Sequence, residues 1–435
     1  MLTLQEKYKL KGSLNLSGDK SISHRSVIMG AMSIGKTEIY NLLESKDILS
    51  TINILRKLGV KIKKQTNSWL VDGVGTGGFK QPNQILNAGN SGTTSRLIFG
   101  AVSTNPILCT FSGDKSLSSR PMMRVTKFLE NNGAKITLTK KNYLPLSIEG
   151  NQNSLPITHL ITKPSAQIKS SIMLAALNIV GETTIVENQP TRDHTEILFK
   201  YLGINLKKKI YKNGKIKLKI LGPVEIKAKQ IYVASDPSSA AFFTVGALIT
   251  PGSNIEIKNV CLNKTRVAYI NVLKKMGGKI IVKKTGKFSG EAVGNIKVKY
   301  SRLKSITISK KLAPYLIDEY PILAIAASQA IGKTTMKGLS ELRFKESDRL
   351  ASIFQNLLNS GIEANISNDD LIIKGSAKVL DGGNKINSFH DHRIAMSFSI
   401  LNLICKKPLK INNTKCIAIS YPKFNQDLKK LKINV

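Results

Sequence analysis

The stretch SGDKSISHRSVIMGAMSIGKTEIYNL, residues 17–42, decides the fold. It opens on a polar Ser/Gly/Asp cap, continues as small apolar residues at helical spacing to Met32, turns at Gly35 and ends as a short β-run, Thr37 to Leu42. Inside it, Gly30-Ala-Met-Ser-Ile-Gly35-Lys36-Thr37 fits G-x-x-x-x-G-K-[ST], the phosphate loop of ATPases. That loop needs a strand before it and a helix after it. Here the order is reversed, so the stretch reads as helix, turn and strand and not as a nucleotide site.

The same order of parts recurs with a period of roughly 70 residues: a Ser/Gly-rich cap, a helix of small apolar residues, a Gly-containing turn into a short strand, and a second helix. First helices begin in residues 17–32, 89–102, 163–177, 235–249, 317–331 and 389–404, each with Ser, Asp, Asn or Thr where an N-cap belongs. The turns read IGKTEIYNL, VGETTIVEN, PGSNIEIKNV and IGKTTMKGL in copies one, three, four and five; copies two, five and six deviate most. Second helices end in LRKLGVKI, FLENNGAKI, FKYLGINL, LKKMGGKI, LLNSGIEA and LKKLKINV, with Gly as the usual left-handed stop. Because VGET and PGSN make the same turn without a phosphate lysine, the repeat also argues against the ATPase reading.

At 435 residues, 41% hydrophobic and 22% charged, the chain has room for two or three globular domains with a sizeable core. Residues 1–12 hold no apolar run of the secretory kind, and the longest apolar stretches, such as residues 394–405, are too short to span a bilayer. The expected location is the cytoplasm. Cys109, Cys261, Cys405 and Cys416 stand singly and read as reduced, buried thiols. A formal charge of +38 raises the question of a polyanion partner, but the lysines are spread, aromatics are only 6%, and no nucleic-acid-binding motif is present. Neither a nucleic acid nor a membrane is expected as partner. More telling, only 11 of the 66 basic residues are Arg, and Arg25, Arg96, Arg120, Arg192, Arg349 and Arg393 fall in motifs. A planar fork for phosphate or carboxylate is what Lys cannot supply.

Within the repeat, notable polar residues sit at two places. At the starts of first helices are Lys20, Ser21 and Arg25; Asn90, Gly92, Thr93 and Arg96; Ser165, Gln167 and Lys169; Asp318 and Glu319; and His392 with Arg393. In the loops entering second helices are Arg120, Arg192 with Asp193 and His194, and Lys345-Glu346-Ser347-Asp348-Arg349. Helix N-termini carry free N–H groups and a positive dipole end, so such positions suit anions. The alternative is that Ser21, Asp47, Asp193 and Asp348 are simply caps. His390-Asp391-His392 lacks metal-ligand spacing and reads as a cap, so no metal site is expected.

LSGDKSISHR, LNAGNSGTTSR, SSRPM, KPSAQIKSS, SDPSSAAFF, LRFKESDRL and DHRIAMSF follow one another in an order and spacing that resembles the 3-phosphoshikimate 1-carboxyvinyltransferases, or 5-enolpyruvylshikimate-3-phosphate synthases, of the enolpyruvyl transferase family. The resemblance covers residues 14–424 and implies an α/β, two-domain fold, an inside-out α/β barrel of six βαβαββ repeats, three per domain. It places one domain at 19–235 and the other at 1–18 plus 236–435, with the active site in the interdomain cleft. It implies an enzyme of the shikimate pathway that binds 3-phosphoshikimate and then phosphoenolpyruvate, closes on both, and transfers the enolpyruvyl group by addition and elimination through a tetrahedral intermediate. No metal or organic cofactor is implied, and family members act as monomers.

By the same resemblance, Lys20, Ser21, Arg25, Ser165, Gln167, Arg192, Asp318 and Lys345 match residues for 3-phosphoshikimate, and Lys20, Gly92, Arg120, Gln167, Arg349 and Arg393 match those for phosphoenolpyruvate. Asp318 is similar to the base for the attacking hydroxyl, with Glu346 and Lys20 serving the methylene proton and the leaving phosphate. One departure is Ile419-Ser420-Tyr421-Pro422, where some members have a Lys before Thr-Phe-Pro. Two other readings remain. The related transferase acting on UDP-N-acetylglucosamine has a Cys where this chain has Lys115, and a non-enzymatic polyanion-binding protein would make use of the charge.

Overall fold

Residues as small as those of the first helices allow a helix to be buried on every side, and the computed structural model, which describes residues 8–140 and 142–434, buries them so. The first seven residues of the segment expected at 1–18 lie outside the described residues. The chain divides into two compact units. One is Gly18–Ala234 with Lys287–Glu291, here the 18–234 unit; the other is Met1–Ser17, Ser235–Gly286 and Ala292–Val435, here the 235–435 unit.

The helices of the 18–234 unit are α1 (Lys20–Met32), α2 (Lys46–Lys57), α3 (Gly92–Val102), α4 (Lys115–Ser118), α5 (Met123–Asn131), α6 (Ala166–Ala176) and α7 (His194–Leu202). α1, α3 and α6 are buried almost throughout, whereas α2, α5 and α7 bury one face. α3 and α6 approach so closely that a methyl group on Gly100 would lie 2.1 Å from the Ser171 carbonyl oxygen. Three four-stranded sheets surround them, each with one parallel and two antiparallel pairings. The first of these sheets is completed from the far end of the unit, where Ile231–Tyr232 runs parallel to Ile34–Tyr40.

The 235–435 unit repeats the plan with α8 (Pro237–Ile249), α9 (Ala268–Lys275), α10 (Ala313–Leu316), α11 (Tyr320–Ser328), α12 (Arg349–Asn359), α13 (His392–Leu401) and α14 (Phe424–Leu431). α8, α11 and α13 are its buried helices, and Tyr8–Asn15 supplies the strand parallel to Asn254–Cys261. Tyr421, of the departing Ser-Tyr-Pro segment, is a core residue edge-on to Phe243 and Phe424.

Two details differ from the sequence reading. The helix placed in 317–331 starts only at Tyr320, because Pro321 lacks an N–H and is tolerated only in a first turn; Ala330 and Ile331 already belong to the strand Ala330–Met336. Gly35 lies inside the strand Ile34–Tyr40 rather than ahead of it, at φ 99°, which glycine reaches without strain.

A second set of glycines was not read from the sequence. Gly73, Gly150, Gly222 and Gly375 stand at or near the end of the second strand after the second helix of four copies, beneath the carbonyls at the C-terminal end of that copy's buried helix. A methyl group there would meet the oxygens of Gly30 and Ser33, Val102 and Asn105, Ala176 and Ile179, or Ala327 and Ala330, at 2.0–2.5 Å. In each pair the carbonyls are three residues apart, so one contact fixes helix against sheet in four copies.

The strand Thr158–Ile161, which leads into the third copy's cap, holds the buried His159 edge-on to Phe128. Burial pushes its imidazole down to about 4 from 6.5. The unfolded chain therefore binds the extra proton first, and stability falls as pH drops from about 6.5 toward about 4. Urea unfolding at pH 7 and pH 5 should show His159→Phe losing less stability than the parent over that interval, by roughly 2 kcal/mol; equal losses would show that this histidine does not drive acid sensitivity.

Candidate functional site

In the 18–234 unit the helix caps set the positions of the candidate residues. Asp19 caps α1 by accepting from the Ile22 N–H at 2.7 Å, so Ser21 lies inside the first turn and Lys20 at its head. Ser91 and Ser165 cap α3 and α6 in the same way, which puts Gly92 at the start of α3 and Gln167 in the first turn of α6. Asp193 occupies the cap position of α7 without a side-chain capping bond.

Hydrogen bonds tie these helix starts together. Arg25, almost fully buried, donates through Nε to Thr195 Oγ1 at 2.7 Å and through Nη2 to Ser170 Oγ at 2.8 Å, joining α1 to α6 and α7. Arg96 donates to Gln167 Oε1 at 2.8 Å, and Gln167 donates to Thr93 Oγ1 at 3.0 Å, joining α3 to α6. Arg120 donates to Asn90 Oδ1 and Ser116 Oγ, both at 2.9 Å. Lys20 is ion-paired with Asp47 in the first turn of α2. A methyl group on Gly92 would lie 2.8 Å from Arg96 Nη1 and 3.6 Å from Arg120 Nη1, so the glycine lets two guanidinium groups approach the head of α3. Arg192 stands half-buried in the loop before α7. The unit thus gathers three N-termini, a lysine and several arginines at one end, an arrangement suited to phosphate and carboxylate.

The 235–435 unit places its candidates differently. Arg349 is 1% exposed and carries three carboxylates: Asp391 Oδ2 at 2.8 Å from Nε, Glu346 Oε2 at 2.5 Å from Nη2, and Asp318 Oδ1 at 3.3 Å from Nη1. Burial alone would lower the guanidinium pKa, but the charges of Asp391, Glu346 and Asp318 outweigh it and hold the cation fixed. Arg393 donates to the Asp318 backbone oxygen at 2.9 Å and lies 3.8 Å from its carboxylate. Lys345 precedes this cluster in the half-buried loop before α12. Asp348, read as a cap, does cap α12 through the Ala351 N–H at 3.0 Å, and Asp391 caps α13 through the Arg393 N–H at 2.8 Å.

Two partners escaped the sequence reading as ligand-holding groups. Asp47 was weighed only as a cap, and Asp391 only within a capping triplet, yet each holds a candidate cation. A usable signal for Asp47 was its place at the entrance to a second helix, where copies two, three and five have Arg120, Arg192 and Arg349.

A family model described as EPSP synthase (3-phosphoshikimate 1-carboxyvinyltransferase) matches residues 4–428. The chain is 43% identical over 424 residues to the 3-phosphoshikimate 1-carboxyvinyltransferase of Parvibaculum lavamentivorans, covering 97% of this chain and 94% of that one. It is 42% identical over 428 residues to that of Zymomonas mobilis, with coverage of 97% and 94%. Among solved structures, EPSP synthase from Acinetobacter baumannii superposes with a TM-score of 0.87 at 39% identity, covering 99% of this chain and 98% of the other. The enolpyruvyl transferase NikO from Streptomyces tendae, at 15% identity, shares the fold with a TM-score of 0.74 over 99% and 98% of the two chains.

The carboxylates on Arg349 differ in what their loss should cost. Removing Asp391, which is fully buried, uncovers a buried charge, so Asp391→Ala should lose about 3 kcal/mol in urea denaturation. Glu346→Ala, at a partly exposed position, should lose less than about 1 kcal/mol. Equal losses would mean that Arg349 does not depend on the buried partner.

Proposed function

The chain belongs to the EPSP synthase family, and from that premise we propose how its two clusters share the reaction. The enzyme transfers the enolpyruvyl group of phosphoenolpyruvate to the 5-hydroxyl of 3-phosphoshikimate, giving 5-enolpyruvylshikimate 3-phosphate and phosphate, a step of aromatic amino acid biosynthesis. Lys20, Ser21, Arg25, Ser165, Gln167 and Arg192, with Asp318 and Lys345, bind 3-phosphoshikimate. Lys20, Gly92, Arg120, Gln167, Arg349 and Arg393 bind phosphoenolpyruvate. The forks of Arg25 and Arg120 are already oriented by hydroxyl and amide groups, so little ordering remains when an anion arrives.

The observation that carries the assignment of chemistry is the single guanidinium of Arg349 holding both Asp318 and Glu346. Asp318 takes the proton of the 5-hydroxyl as that oxygen bonds to C2 of phosphoenolpyruvate, while Glu346 delivers a proton to the methylene carbon. In the elimination a methyl proton returns to Glu346, the C2–O bond to phosphate breaks, and the proton that Asp318 took from the hydroxyl passes to the departing oxygen, so that phosphate leaves as a dianion beside Lys20.

The enzyme works as a monomer in the cytoplasm, as two domains of three repeats each, without a nucleic acid partner or cofactor. Among the described residues no helix is long and apolar enough to cross a membrane.

The test is the forward assay, phosphate release from phosphoenolpyruvate with 3-phosphoshikimate as acceptor. Asp318→Asn should lower kcat by at least ~100-fold, the scale of general-base catalysis, and retained turnover would remove Asp318 as base. Arg120→Lys should raise KM for phosphoenolpyruvate by about tenfold with a smaller change in kcat; an unchanged KM would remove the bidentate role.

A further inference from the structure

Lys169 begins as an anomaly. It lies on α6 with its side chain 0% exposed, where every neighbouring position of the helix from Ile168 to Ala176 is also buried. Its Nζ is 2.9 Å from Glu187 Oε2, at the end of the strand Gly181–Glu187, and 2.7 Å from Glu196 Oε1, in the first turn of α7. Both glutamates are buried as well, and Glu187 Oε1 accepts a further bond from Thr191 Oγ1 at 2.6 Å. The group carries two carboxylates for one cation.

Stability does not account for such a group, because replacing a buried ion cluster by neutral residues of similar volume is often neutral or favourable. What the cluster does supply is direction. Burial on its own would push Lys169 toward its neutral form, but Glu196 and Glu187 outweigh it and keep the ammonium charged, so three segments are clamped by ionic contacts that tolerate little displacement. The residues next along the chain are the ones that hold Arg25: Ser170 follows Lys169, Thr195 precedes Glu196, and their hydroxyls lie 2.7 Å apart with the Arg25 guanidinium bonded to both. Thr191, bonded to Glu187, immediately precedes Arg192.

We infer that Lys169, Glu187 and Glu196 form a buried set of positioning residues for the acceptor substrate, fixing Ser170 and Thr195 so that Arg25, and through Thr191 also Arg192, meets 3-phosphoshikimate in one orientation. This rests on the reading of Arg25 and Arg192 as its ligands. Among the described residues Gly92 and Arg120, assigned to phosphoenolpyruvate alone, bond to none of the three, and Gln167, assigned to both substrates, is held by Arg96 and Thr93 of α3, so the effect falls chiefly on the acceptor.

The test compares Lys169→Met, which strands two buried carboxylates and should lower the melting temperature, with the neutral triple variant Lys169→Met, Glu187→Gln, Glu196→Gln, which should recover most of it. In the triple variant KM for 3-phosphoshikimate should remain raised by about tenfold while KM for phosphoenolpyruvate stays within about twofold of the parent. Thr195→Val, which leaves the ion cluster whole and removes only the hydroxyl between it and Arg25, should give the same selective rise. A normal KM for 3-phosphoshikimate in either variant, or an equal rise for both substrates, overturns the inference. Arg25→Lys separates the two levels: if it too leaves KM for 3-phosphoshikimate unchanged, the ligand reading of Arg25 has failed and the inference falls with it; if it raises KM while the triple variant and Thr195→Val do not, the ion cluster alone is refuted.

Discussion

A helix buried on all sides cannot leave its first N–H groups to solvent along its flank; they must be met at its tip, by a cap or by a ligand. Both units are built around three such helices, α1, α3 and α6 in one and α8, α11 and α13 in the other, and the composition of these helices follows from the requirement. Side chains stay small so that backbones can approach, and polarity collects at the N-termini. Asp19, Ser91 and Ser165 in one unit, and Asp236 and Asp391 in the other, each satisfy a helix start, and within each unit the positive dipole ends form a field suited to anions before any lysine or arginine is counted.

The two units use that field in different ways. In the 18–234 unit Arg25, Arg96 and Arg120 bond to hydroxyl, amide and carbonyl oxygens, which orient a guanidinium without cancelling its charge. In the 235–435 unit Arg349 bonds to carboxylates, which hold it at the cost of its charge. In the proposed reading one cluster serves binding and the other keeps acid and base groups in register. The net charge of +38 plays little part in that reading, since the cations proposed to act are the scarce arginines together with Lys20 and Lys345.

The first helices, the second helices and the strands between them were legible in the sequence because each repeats a local pattern: a cap, a helical period and a glycine stop. Scarcity of arginine drew attention to Arg25, Arg96, Arg120, Arg349 and Arg393, which the structure places in hydrogen-bonded clusters. Partnership was harder to read. Asp47 is 27 residues beyond Lys20 and Asp391 is 42 beyond Arg349, and nothing local to either carboxylate says which cation it faces. Lys169 was visible only as one more polar residue near a helix start; its complete burial between Glu187 and Glu196 is a property of the folded unit. Copy six deviated in sequence, and its strands form two-stranded parallel pairs, Leu380–Gly382 with Cys405–Lys407 and Lys385–Ile386 with Lys410–Ile411, apart from Lys432–Asn434, which pairs antiparallel with Tyr8–Asn15.

This chain is rich in lysine and asparagine, and most exposed positions can take such residues because solvent accommodates any polar side chain. Gly73, Gly150, Gly222 and Gly375 have no such freedom, for the space beside each is already taken by two carbonyl oxygens at the C-terminal end of the helix above, one in its last turn and one just past it. They act as a ruler inside the molecule: whatever else is rewritten in a copy, the distance from helix end to sheet is held constant, and with it the height at which the opposite end of that helix presents its N–H groups. The geometry of the anion-binding end is thus set in part some sixteen ångströms away, a helix length of about 1.5 Å per residue from the chemistry, by residues that have no side chain at all.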